Sequence, residues 1–193
     1  YHISSKFNLN GYDLNVSVLD TYYLDGGYTI AEDTTGVVTS PKPAELTVTG
    51  AGSYLSNICL QDKASFNWSP PDDESRLTLP NRTHTTAGTL TVSRGTVAVT
   101  GSATFASLTG IVLKSGAALE LESAAAASLT SVELFEIAGD AALHLSPGAS
   151  VSVAKAFVGG VPLMPGVYTP ATAAWLKGER ITFEVRQSLW TAR

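Results

Sequence analysis

From residue 88 onward the chain repeats a short phrase in which large apolar residues alternate with small or polar ones around glycine turns. The copies are Gly88-Thr89-Leu90-Thr91-Val92, Gly95-Thr96-Val97-Ala98-Val99, Gly116-Ala117-Ala118-Leu119-Glu120-Leu121, Ala141-Ala142-Leu143-His144-Leu145 and Gly148-Ala149-Ser150-Val151-Ser152-Val153. A period of two sends alternate side chains to opposite faces of a strand, so each phrase predicts a strand with one buried face. Many short strands with almost no helix-forming sequence between them predict a wound β-solenoid. The expected fold is all-β: a single right-handed parallel β-helix with little helix and a capped C-terminal end. Leu90, Leu119 and Leu143, spaced 29 and 24 residues apart, are taken as equivalent inward positions. Irregular spacing suits a β-helix, whose corners accept loops of variable length, better than a propeller or a leucine-rich horseshoe. Seven or eight coils at ~4.8 Å per rung would make a rod of about 35 Å.

The pattern divides the chain into a less regular part over 1–80, regular coils over 81–160 and a cap over 161–193, all within one body. In the first part, Phe7 to Val16 alternates around Asn10-Gly11 and reads as two strands. Asp25-Gly26-Gly27, flanked by Tyr22, Tyr23 and Tyr28, is a tight-turn signal. Thr39 to Pro43 is expected to separate this region from a strand at Leu46-Thr47-Val48. Trp68-Ser69-Pro70-Pro71-Asp72-Asp73-Glu74 reads as an excursion, because two consecutive prolines cannot donate ladder hydrogen bonds. Ala124 to Ala127 is read as a corner packed with small residues rather than a helical turn. Ala171 to Leu176 is the candidate for a short helix that covers the open end of the core.

Composition narrows the function classes. Charged residues make up 15% of the 193, with a net charge of −5 and no Lys/Arg cluster able to neutralise several phosphates, which argues against nucleic acid as a partner. Cys59 is the only cysteine, so no intramolecular disulfide forms; flanked by Ile58 and Leu60, it is expected to be a buried structural thiol. No stretch approaches the ~20 apolar residues that span a bilayer as a helix, so no transmembrane segment is expected. The Gly/Ser/Thr/Ala-rich, charge-poor composition points outside the cell, and the start at Tyr1 reads as a processed or excised piece of something longer.

Arg82-Thr83-His84-Thr85-Thr86-Ala87-Gly88-Thr89-Leu90-Thr91-Val92, preceded by Leu77-Thr78-Leu79, resembles the autotransporter-associated β-strand repeat. Phe7 to Leu14 is similar to the opening that precedes such repeats. Val161 to Thr169, with Trp175-Leu176 and Gly178 to Val185, is similar to their ending. The three stretches cover under half of the chain. The resemblance implies a right-handed, pectin-lyase-like parallel β-helix from a bacterial surface or secreted protein, one module of a longer polypeptide. The chain departs from the repeat where His84-Thr85-Thr86 replaces the common paired glycines, and it contains no β-barrel translocator.

Signatures of chemistry are sparse. The chain contains no G-x-S-x-G, H-E-x-x-H, Walker or C-x-x-C sequence, and His2, His84 and His144 are far apart along it. No cofactor or metal is expected, and Asp72-Asp73-Glu74 lacks the alternating acids and glycine of a calcium loop. Thr91, Glu120 and His144 are expected to form an outward ladder, read as a solvated polar face rather than an acid-base pair. For binding, Trp68, Phe66 and Tyr54 could form a flat aromatic platform for a sugar ring, with Asn67, Asp72 and Asp73 taking hydroxyl hydrogen bonds. The same alternation fits rings that seal one edge of the core. Trp175 and Tyr168 read as cap packing.

The expected function is therefore a non-catalytic extracellular module for surface display, adhesion or glycan binding. Its partner would be a polysaccharide, a glycoprotein glycan or another surface protein. The alternatives are a structural subunit that self-associates end to end, through an imperfectly capped end or the strand near Ile3 to Leu9, and a polysaccharide lyase or hydrolase.

Overall fold

A computed structural model describes residues 6–17, 36–50 and 58–186. The Asp25-Gly26-Gly27 turn, the strand start at Ile3, Tyr54 and the C-terminal Trp190 lie outside the described residues. The described chain is a β-solenoid of stacked parallel coils. Along one edge, β1 (Lys6–Asn8) and β2 (Leu14–Val16) lie end to end against β3 (Gly36–Val48), which pairs in parallel with β4 (Ile58–Trp68). The next coils are β5 (Arg76–Pro80), β6 (Thr83–His84), β7 (Thr89–Val92), β8 (Thr96–Thr100) and β9 (Thr104–Phe105), then β10 (Gly110–Leu113) and β11 (Ala118–Leu121). A six-residue helix, α1 (Ser123–Ser128), and a 3-10 turn over Leu129–Ser131 follow, and then β12 (Leu134–Ile137), β13 (Ala142–Leu145), β14 (Ser150–Val153) and β15 (Lys155–Val158). The last coil holds β16 (Val161–Pro162), β17 (Gly166–Tyr168), β18 (Leu176–Lys177) and β19 (Thr182–Val185).

These strands line up on three sides. The first sheet runs β1/β2, β3, β4, β7, β10, β12, β15 and β16; the second β5, β8, β11, β13 and β18; the third carries β14, β19 and β17, with β6 paired to β9 below it. β3 and β4 cross the corner between the third and first sides without a break. Their shared register slips between Ser40 and Ala44, where Pro41, Lys42 and Pro43 bulge outward. Thr39 to Pro43 thus bends a single strand rather than ending one, since prolines that cannot join the ladder are accommodated at the bulge.

Rung-on-rung packing makes the core. On the first sheet, Leu14, Leu46, Phe66, Leu90, Ile111, Phe135 and Ala156 stand in one inward column, and Val16, Val48, Trp68, Val92, Leu113, Ile137 and Val158 in the next. On the second sheet, Leu77, Val97, Leu119, Leu143 and Leu176 form the matching column. Leu119 and Leu143 therefore stack as expected, but Leu90 does not join them. It belongs to the first sheet, between Phe66 and Ile111, because the Gly88 and Gly95 phrases are consecutive sides of the same coil. The spacings along the first-sheet column, Leu90 to Ile111, Phe135 and Ala156, are 21, 24 and 21 residues.

Corners are held by specific chemistry. At Gly88 a Cβ would lie 2.5 Å from the Ala64 carbonyl oxygen of the rung below, so only glycine admits the approach. The buried Thr86 hydroxyl donates to that same oxygen and accepts from the Gly88 amide. Ala124 to Ala127 is helical, contrary to expectation. Alanine favours helix, Ala125 and Ala126 are small enough to be buried on the core side, and the Ser128 Oγ takes the Phe105 amide (2.8 Å) that a strand carbonyl would otherwise accept. Ala171 to Leu176, in contrast, forms turns leading into β18, with Trp175 packed edge-on against Phe183 at 5.0 Å. The end is closed by reversal of strand direction: β16 runs antiparallel to β15, and β17 antiparallel to β19.

His84 is wholly buried and stacks on Phe105 with centroids 4.6 Å apart. Its Nδ1 accepts from the Leu60 amide at 3.3 Å, so the neutral ring carries its proton on Nε2, which has no partner among the described residues. Burial pushes its pKa down from 6.5 to about 4. The unfolded chain then binds the proton more readily than the folded one, so stability is full above the unfolded value and falls as pH drops through that window. Across it the loss reaches about 3 kcal/mol. Urea denaturation at pH 7 and pH 5 is expected to show about 2 kcal/mol of this loss, pH 5 lying above the folded value, and His84→Leu to flatten it whatever its effect on absolute stability. Leu119→Ala, in the middle of the second-sheet column, is expected to cost about 2–5 kcal/mol by the same measurement.

Candidate functional site

Phe66 and Trp68 do not form the expected aromatic platform, and Tyr54, its third member, lies outside the described residues. Phe66 and Trp68 alternate on the inward face of β4 and are 0% and 1% exposed, each clasped between rungs of the core columns. Neither ring can stack on a ligand in solution, and the Trp68 Nε1 has no partner among the described residues. Asn67 points outward but is committed to its neighbours: its amide donates to Glu45 Oε1 (3.3 Å) and its oxygen accepts from the Ser93 hydroxyl (2.8 Å).

Asp72 and Asp73 of the excursion are both engaged within the chain. Asp72 accepts from the Ser75 amide and hydroxyl at 2.7 and 2.6 Å, and those bonds hold its carboxyl below the usual carboxylate range. Asp73 accepts from Arg94 Nε at 2.6 Å while the same guanidinium reaches the Pro71 carbonyl, so Arg94 pins the loop to the next coil. Cys59 is buried, and its Sγ approaches the Thr83 carbonyl at 3.1 Å. Among the described residues no group of three His, Cys, Asp or Glu side chains is placed to hold a metal ion.

Two grooves mark the outer faces. The smaller, about 370 Å3, lies on the second sheet and is lined by Arg76, Glu120, Glu122, His144 and Ser146 among others. Glu120 and His144 stand in register, as the sequence suggests, and Lys177 follows His144. Thr91 is not part of this ladder: it lies on the first sheet, and Ala98 and Thr78 occupy the positions below Glu120. Arg76, which sequence reasoning does not place here, reaches diagonally across β8 to bind Glu120 with both ends of its fork, Nη1–Oε1 and Nη2–Oε2 each 2.6 Å. On that intervening strand Ala98, below Glu120, is fully buried although it faces outward. The bonds from Arg76 hold the Glu120 carboxyl below its ordinary range against the opposing effect of partial burial. Glu122 is likewise occupied, accepting from the Gly101 amide at 2.7 Å.

The larger groove, about 620 Å3, opens where the first sheet turns toward the second. Its floor is the outward column Val112, Glu136 and Phe157, in register on β10, β12 and β15. Val112 and Phe157 are half-buried and Glu136 is exposed. One wall is Lys114 and Ser115; another is the glycine corner of Gly139, Gly159 and Gly160. Ser115 is tied to Asp140 (2.6 Å), whereas neither Lys114 nor Glu136 has a side-chain hydrogen bond or ion pair within the described chain. Sequence reasoning misses this groove. The available signal is an aromatic at the outward position of Lys155-Ala156-Phe157-Val158, where Ala156 faces inward.

No protein-family model, no curated protein and no solved structure matches the chain. Its β-solenoid architecture thus stands on the strand registers themselves.

The Arg76–Glu120 pair is a partly exposed ion pair, with side chains 48% and 35% accessible. Glu120→Gln is therefore expected to cost under about 1 kcal/mol at low salt, and the difference from the parent should vanish in 1 M salt when both are unfolded by urea.

Proposed function

We propose that the chain is a non-catalytic β-solenoid module of a bacterial surface or secreted protein, serving in display, adhesion or glycan binding. The observation that carries this reading is how the outward polar groups are used. Arg76 with Glu120, Arg94 with Asp73, Ser115 with Asp140, and Asn81 with Ser102 each join one coil to another. A surface whose charges brace neighbouring rungs serves rigidity, and a rigid rod holds a binding face at a fixed distance and orientation. The autotransporter-associated resemblance of Arg82 to Val92 agrees with that role, since repeats of this kind build extended passengers outside the cell. No described helix is long and apolar enough to cross a membrane.

A second reading is polysaccharide cleavage in the smaller groove, favoured by the adjacency of Glu120 and His144 with Arg76 at hand. Against it stands the state of Glu120: doubly bonded to a guanidinium, it is a poor proton donor and a weakened base. Incubation of the protein with pectins, alginates and mucins separates the two. The expected result is no new reducing or unsaturated ends; their appearance, abolished by Glu120→Gln, would replace the module reading with an enzymatic one.

A further inference from the structure

The larger groove combines three features. Its floor is an apolar strip interrupted by one carboxylate, its polar groups are few and carry opposite charges, and one wall has no side chains. We infer that it is a binding site for a neutral hexopyranose glycan, an inference that rests on the reading of the chain as a glycan-holding module and fixes where on the rod the glycan lies.

The argument starts from Phe157. It stands on the outward face of the sheet between Glu136 and Pro162, is half-buried, and lines the groove with Val112 and Glu136. A flat ring flanked by aliphatic surface matches the C–H face of a pyranose, which presents an apolar patch ringed by hydroxyls. The hydroxyls need acceptors and donors at the margin, and the groove supplies both: the Glu136 carboxylate on the floor and the Lys114 ammonium on the wall, neither paired within the described chain. Their charges cancel, so the site favours neither an acidic sugar nor a cationic peptide, each of which would bring an unmatched charge. The glycine corner sets the width. Built onto Gly139, a Cβ meets nothing within 4 Å, and a Cβ on Gly159 comes no nearer than 3.8 Å to the Gly139 backbone. The wall is therefore bare backbone, leaving room for a ring to slide in edgewise. At about 620 Å3 the groove is within the range of roughly 300–1,000 Å3 typical of small-ligand sites. The smaller groove offers the contrast: its two carboxylates are already held by Arg76 and the Gly101 amide.

The test is an array of neutral hexose oligomers (glucans, mannans and galactans) printed beside sialylated and uronic-acid glycans, probed with the full chain. The parent protein is expected on neutral spots. Phe157→Ala should weaken retention about tenfold and Glu136→Gln by a smaller factor. Gly139→Leu should abolish retention by filling the groove, because its Cβ has open space and the backbone there need not shift. Unchanged thermal unfolding of Gly139→Leu guards against loss of fold as the cause. Retention of all three variants at the parent level would overturn the site while leaving glycan binding intact. Retention only on acidic glycans, or on none, would overturn the inference outright. New reducing ends on the bound spots would instead overturn the non-catalytic reading and leave the groove standing.

Discussion

A coil of this protein cannot bury its apolar side chains by itself. Each inward Leu, Val or Phe has strand partners only above and below, at the parallel-sheet spacing of about 4.8 Å, so every rung is stable only because its neighbours are already in place. The two first-sheet columns, from Leu14 to Ala156 and from Val16 to Val158, are this constraint made visible. Everything else follows from keeping those columns in line: glycine where Gly88 meets the Ala64 carbonyl, a buried threonine hydroxyl where the corner lacks a ladder bond, and a bulge where β3 must absorb two prolines.

The same constraint sorts the outer surface. Side chains pointing outward are also spaced at one rung, so groups that meet there pair across coils. Arg76 is long enough to cross β8 and reach the second rung along, and Arg94 fastens the excursion that carries Asp72 and Asp73. Where the outward column carries Val112 and Phe157 in place of polar residues, no such bracing forms, and the surface opens into a groove. Bracing continues around it, since Ser115 on the groove wall is tied to Asp140 and Asn67 lower on the same sheet to Glu45 and Ser93.

Period-two alternation makes the fold class legible in the sequence, and it correctly puts Leu119 over Leu143 and Glu120 beside His144. What alternation cannot supply is the side of the coil. The Gly88 and Gly95 phrases have the same pattern yet lie on adjacent sides, so Leu90 is drawn into the wrong column and Thr91 into the wrong ladder. Trp68 shares the difficulty: sequence places it on one face with Phe66, and only Val48 below and Val92 above make that face the interior. In Ala124 to Ala127 the expectation of a corner neglects that a helix can replace a strand when a serine hydroxyl answers the orphaned amide. Phe157 and Arg76 act through neighbours more than twenty residues away, at Glu136 and Glu120, and local pattern does not register such distances.

The reversed strands at the C-terminal end have an evolutionary consequence. Because β16 and β17 run against β15 and β19, a further coil after β19 would meet backbone of reversed polarity on two of the three sides, and only β18 on the second sheet presents an edge of the same polarity. Duplication of a coil between β7 and β14, in contrast, inserts a copy whose upper and lower faces match those of its template. Lineages that lengthen or shorten this protein should therefore do so from the middle, conserving the terminator while the stack beneath it varies in number.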